Sequence, residues 1–112
     1  MNYTIIKLDR RHSWHRDFAY MIEFPKRSTQ SFTQVSSGVL SFDRSRRWFN
    51  ETFGWSQDVE TRERMRVALV GTQGCTDDYN FKWSWSIKYN EYRIYVASTA
   101  ELNWFVLKYP QS

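Results

Sequence analysis

Apolar and polar positions alternate most cleanly in two stretches of the chain. In residues 81–89, Phe81, Trp83, Trp85, Ile87 and Tyr89 fall on one side, and Lys82, Ser84, Ser86 and Lys88 on the other. In residues 14–24, Trp14, Phe18, Tyr20, Ile22 and Phe24 face one way, with Arg16 as the exception. His15, Asp17, Ala19, Met21 and Glu23 face the other. A period of two marks a strand with one buried face. Tyr3 to Leu8 is short and β-branched and reads as a further strand, with "LDRRHS" as its hairpin connection. Pro25 ends the second strand because it cannot donate to a ladder.

The pattern then changes. Residues 26–40, rich in Ser, Thr and Gln, read as a long loop. "DRSRRWFNETFG" carries Phe49 and Phe53 at i and i+4, widened by Trp48, with Asp43 as N-cap and Gly54 as stop. It predicts the main helix. Residues 56–62 read as a polar turn or short helical piece and 63–70 as a strand, followed by the turn-rich "GTQGCTDDYN". Asn90 and Glu91 then turn residues 81–89 back into "YRIYVAS", where Tyr92, Ile94 and Val96 share a side. "STAE", Ser98 to Glu101, has the spacing of a capping box and predicts a short helix over 99–104, followed by a last strand over 105–109. The expected order is β, β, α, β, β, β, short α, β. This is an α+β domain spanning residues 1–112, with an antiparallel or mixed sheet and one main and one short helix on one face. A ferredoxin-like arrangement with an extra hairpin fits that order.

Composition adds one unusual feature. Six Trp, seven Tyr and eight Phe make up 19% of the 112 residues. Such side chains fill small cores, but Trp and Tyr also anchor interfaces. The alternation assigns Trp83 and Trp85 to the core, under the helix bearing Trp48, Phe49 and Phe53. The formal charge of +4 falls entirely in the first half: residues 1–56 carry nine Lys/Arg against five Asp/Glu, and residues 57–112 seven against seven. A basic half is compatible with nucleic acid or an acidic protein. Cys75 is alone, so no internal disulfide forms and a reducing, cytoplasmic compartment is expected. No apolar run is long enough to span a membrane, so no membrane association is expected.

The candidate chemistry is binding rather than catalysis. Arg44, Arg46 and Arg47 fall in the first turn of the expected helix, where the dipole already disfavours cations and an anion such as phosphate would be held. The ordinary alternative is that they are solvated or paired with Asp17, Glu23 or Glu51. Lys82 and Lys88, joined by Arg93 and Tyr95 of the partner strand, form a polar sheet face of the kind some single-strand binders use. The RNP pattern of such binders is absent, and lysines on a sheet also discourage aggregation. "GTQG" at 71–74 has the spacing of a KH loop but follows an expected strand, so it reads as a turn. His12 and His15, with Cys75, Asp77 and Asp78, do not form the tight ligand pairs of a zinc site, and no metal or other cofactor is expected. No P-loop, nucleophile elbow, His-Glu-x-x-His or EF-hand pattern occurs, so no enzyme is expected.

"RRWFNETFG" and, later, "YRIYVASTAELNWFVLKY" resemble small uncharacterised accessory proteins of tailed bacteriophages. Those pair a Trp/Phe-bearing helix with an aromatic hairpin and end in a short acidic helix and a strand of the type Phe-x-Leu-Lys-aromatic, here Phe105 to Tyr109. The similarity covers about half the chain. It implies a viral origin, with the host cytoplasm as the site of action, and a small α/β fold, but no activity and no functional residue. Together these readings favour a non-catalytic accessory protein that binds a host or viral protein, because Trp, Tyr and Arg dominate interface hot spots. The alternative is nucleic-acid binding through Arg44, Arg46, Arg47, Lys82, Lys88, Arg93 and Tyr95.

Overall fold

The computed structural model describes residues 3–9, 18–25, 37–62, 64, 82–87 and 91–111. Four strands form one sheet: β1 (Thr4–Lys7), β2 (Tyr20–Phe24), β3 (Trp83–Ser86) and β4 (Tyr92–Val96). Their order is β1-β2-β4-β3, and all three ladders are antiparallel. Two hairpins are thus joined along β2 and β4, with Ile22 opposite Ile94 at the centre and Trp85 opposite Ile94 on the far side. The α+β class is as the sequence predicts. A split βαβ path of the ferredoxin-like kind is present too: β2 and β3, separated in sequence by the main helix, run parallel with β4 inserted antiparallel between them, and β1 takes the edge beside β2.

Helix α1 (Ser37–Phe53) begins six residues before Asp43, so the helix start expected at Asp43 is corrected, as is the loop reading of 37–40. Its inner stripe is Phe42, Ser45 and Phe49 at i, i+3 and i+7, all buried. Ser45 donates to the Ser41 carbonyl at 2.7 Å, which satisfies the one hydroxyl in that stripe. Gly54 ends the helix at φ 91°, a left-handed value that costs glycine little, and its N–H bonds Asn50 O at 3.1 Å.

Helix α2 (Thr99–Lys108) replaces the expected short helix and terminal strand. An apolar run such as 104–107 satisfies either period, and here the helical one wins. Leu102, Phe105 and Tyr109 stand at i, i+3 and i+7, and all pack on the core. Ser98 is the N-cap residue, but its hydroxyl makes no bond to a helix-start amide and donates instead to the Glu101 carboxylate. The reciprocal capping box is therefore not formed.

Both helices lie on one face of the sheet. Ile22, Phe24, Trp83, Ile94 and Val96 from the strands meet Phe42 and Phe49 from α1 and Leu102 and Phe105 from α2. Phe49 sits where α1, α2 and the sheet meet, stacked on Trp83 at 5.3 Å and on Phe105 at 5.4 Å between ring centres. The other face is covered in part by the segment after α1. Residues 59–62 are helical, started by Asp58, whose carboxylate accepts from the Thr61 N–H at 3.3 Å. Val59 packs there against Phe18, Met21 and Tyr95.

Phe18 corrects one detail of the alternation. It was expected beside Tyr20 and Ile22 but belongs to the opposite cluster, because the chain bends at Ala19 and β2 starts only at Tyr20. Arg64 is helical rather than extended, and the rest of the strand expected over 63–70 lies outside the described residues, as do the "GTQG" turn and Trp14.

Candidate functional site

The expected polar face of the sheet does not form an open platform. Ser84, Ser86 and Tyr95 are all buried, Tyr95 to 1% exposure. Segment 56–58 runs along the β3 edge and covers it. Ser84 donates to Gln57 O at 2.5 Å, and Asp58 makes a parallel bridge with Trp85. Arg93 is half-buried and engaged twice, with Glu23 at 3.1 Å across the ladder and with Glu91 at 2.8 Å. Burial alone would lower its pKa, but the hydrogen bond to Tyr95 and the two carboxylates outweigh that and hold it above the ordinary arginine value. Burial likewise pushes the Tyr95 phenol up, against the opposing pull of Arg93. Arg93 and Tyr95 therefore form an internal polar cluster instead of a solvent-facing contact. The sequence could not distinguish these outcomes, since alternation names the two faces and says nothing of what covers the second.

Lys82 is exposed, but its ammonium turns toward α1 and lies 5.9 Å from the Phe53 ring centre. Lys88 lies outside the described residues, as do His12, His15, Cys75, Asp77 and Asp78. Among the described residues no cluster of three His, Cys, Asp or Glu side chains is placed to hold a metal ion. Nor is any helix among them long and apolar enough to cross a membrane.

The three arginines of α1 are mid-helix, two or more turns beyond its start. The dipole argument for an anion at a helix N-terminus does not apply to them. Asp43 pairs with Arg46 at 3.5 Å and with Arg47 at 3.1 Å, the ordinary i,i+3 and i,i+4 geometry, while Arg44 is exposed. Two surfaces flank this helix. On one side an open groove of about 530 Å³ runs between α1 and the end of α2. Trp48 and Tyr109 line it, Leu40 borders it, and it carries Arg44, Arg47 and Lys108 against Asp43 and Glu51. Outward from it, α2 leaves Trp104 61% and Leu107 79% exposed.

On the other side of α1 is a notch of about 230 Å³ lined by Arg46, Arg47, Asn50, Trp55, Ser56, Trp83 and Trp85. The Arg46 guanidinium lies 4.8 Å from the Trp85 ring centre, within cation–π range. Trp55 is 62% exposed, although the segment that carries it is fixed. The Trp83 indole donates to Gly54 O at 2.7 Å and the Trp85 indole to Ser56 O at 3.0 Å, one on each side of Trp55. The Ser56 hydroxyl donates back to Trp83 O at 2.7 Å. Trp55 falls in no periodic pattern, and sequence reasoning did not single it out. A useful signal would have been a Trp placed directly after the glycine that stops a helix. No family model, curated protein or solved structure matches this chain, so its functional reading rests on these surfaces.

Proposed function

We propose that this chain is a small non-catalytic binding module, an accessory protein of tailed-phage type, that docks on a host or viral protein. One observation carries the reading: Trp104 and Leu107 project from α2 at i and i+3, 61% and 79% exposed, although Leu102 and Phe105 of the same helix fill the core. A large apolar pair held outward by a well-anchored helix is how an interface hot spot is built. Arg44 and Lys108 in the adjoining groove, together with a net charge of +4, favour an acidic partner surface around the apolar contact. The test is affinity capture from a host lysate with the wild-type chain and with the double variant Trp104→Ser, Leu107→Ser. A defined protein retained by the first and lost by the second, at equal melting temperature, supports the reading. Equal retention by both refutes it.

Nucleic-acid binding is the second reading, and the observation that favours it is the notch in which exposed Trp55 adjoins Arg46 and Arg47. It predicts binding that weakens steeply as salt rises.

A further inference from the structure

The lining of the notch beside Trp55 differs from that of the groove. Among the described residues it presents two guanidiniums and three indoles with no carboxylate, whereas the groove sets two acids against its three cations. Asp43 does pair with Arg46 and Arg47, but it is not part of the notch wall, and one solvent-exposed carboxylate shared by two arginines leaves net positive charge. The Trp85 ring under Arg46 fixes where that guanidinium sits, and the Arg47 side chain is largely in water.

Trp55 adds the second half of the chemistry. An exposed tryptophan on a loose loop would lose freedom on binding anything. Here the flanking carbonyls of Gly54 and Ser56 are tied to the indoles of β3, so the backbone that carries Trp55 is already set. A purely apolar partner would gain nothing from two arginines. An acidic peptide would use the arginines but leave the aromatic wall idle. A ligand that is flat, aromatic and anionic uses both.

We propose that the notch takes one unstacked nucleobase against Trp55, with an adjoining phosphate on Arg46 and Arg47. This deepens the second reading above and rests on it. It is independent of the α2 face. The shared chemistry of base and phosphate is found both in a free mononucleotide and in a single strand, and stacking of this kind tolerates any base. A duplex, whose bases are stacked inside, does not present it.

The experiment is fluorescence anisotropy of the full chain with a labelled single-stranded 12-mer at low salt, with adenosine monophosphate, the matching duplex and a phosphotyrosine peptide as competitors. The single strand is expected to bind. Trp55→Ala should weaken it about tenfold, the usual effect of removing one stacking side chain. Arg47→Ala should flatten the dependence of log affinity on log salt by about 0.7, the value for one lost phosphate contact on a single strand. Arg64→Ala, which removes the same charge from the segment serving the other sheet face, should leave affinity unchanged. Competition by the mononucleotide supports the site and names the free nucleotide as its source. Its failure beside tight oligomer binding supports the site and names the strand. Oligomer binding that Trp55→Ala does not alter overturns the notch while the nucleic-acid reading survives. No oligomer binding overturns both. Stronger competition by the duplex or the phosphotyrosine peptide than by single strand or nucleotide overturns the ligand class.

Discussion

Tyr3 shows how a single hydroxyl ties the described ends of the fold together. It donates to Tyr109 O at 2.5 Å, while Gln111 Nε2 donates to Tyr3 O at 2.7 Å, so the residue before β1 is bonded to the chain leaving α2. Burial raises the Tyr3 phenol above its ordinary value, and it raises Tyr95 as well. A folded-state pKa above the unfolded one, about 10, means that the folded chain holds its proton more tightly. The stability this gives is complete below pH 10 and is lost as pH rises through the folded value. Urea midpoints measured from pH 7 to 11.5 should therefore hold level and then fall. Tyr3→Phe should cost about 1 kcal/mol at pH 7, the usual worth of a hydrogen bond, and make the alkaline fall shallower. Gln57 gives the opposite case. Its Oε1 is buried without a hydrogen-bond partner among the described residues, a loss of about 1–3 kcal/mol of solvation. Gln57→Met should raise the urea midpoint at unchanged slope. Neither residue was legible in advance, because alternation assigns a residue to a face but not its hydroxyl or amide to a partner.

At the scale of elements, the hairpin of β3 and β4 was the most readable part. Trp83 and Trp85 alternate with Ser84 and Ser86, and they pair with Val96 and Ile94 in the antiparallel register that the alternation predicts. The helices were readable only in their middles. Residues 37–42 include Gly38 and Val39, weak helix formers, in the first turn, so tertiary contact through Phe42 decides that end. For α2, Phe105 to Tyr109 is too short for period alone to decide, and it is the fit of Leu102, Phe105 and Tyr109 against Phe49 and Trp48 that selects the helix. The Ser98–Glu101 spacing was legible, but the bonds it forms were not. Since Ser98 bonds Glu101 rather than an amide, Ser98→Ala should cost less than about 0.5 kcal/mol, below the usual loss for an N-cap. Ser56→Ala should cost on the order of 2 kcal/mol, because it leaves the buried Trp83 carbonyl without the Ser56 hydroxyl. Chemical denaturation of the two variants side by side measures the difference.

The molecule as a whole separates what holds it together from what it offers outward, and α2 draws that line between neighbours. Phe105 is fully buried between Phe49, Phe24 and Tyr3, while Trp104 beside it is 61% exposed. Neighbours on a helix stand about 100° apart, and on α2 the core side takes Phe105 and leaves Trp104 facing outward. In a chain that is 19% aromatic the core fills before the aromatics run out, and Trp55 and Trp104 are the surplus. The consequence is a pair of outcomes that composition alone would not separate. Phe105→Ala should cost about 3–5 kcal/mol, from lost burial and the cavity left between α1, α2 and the sheet. That is a large share of the stability of a domain this size and corresponds to a fall of about 15 °C in Tm. Trp104→Ala removes a larger side chain from the next position, yet should move Tm by no more than about 2 °C, the effect of a surface substitution away from any packed feature. Thermal unfolding followed by near-ultraviolet circular dichroism reads both. If the two variants melted together, the assignment of Trp104 to the surface would fail, and with it the argument that α2 holds an anchor ready for a partner.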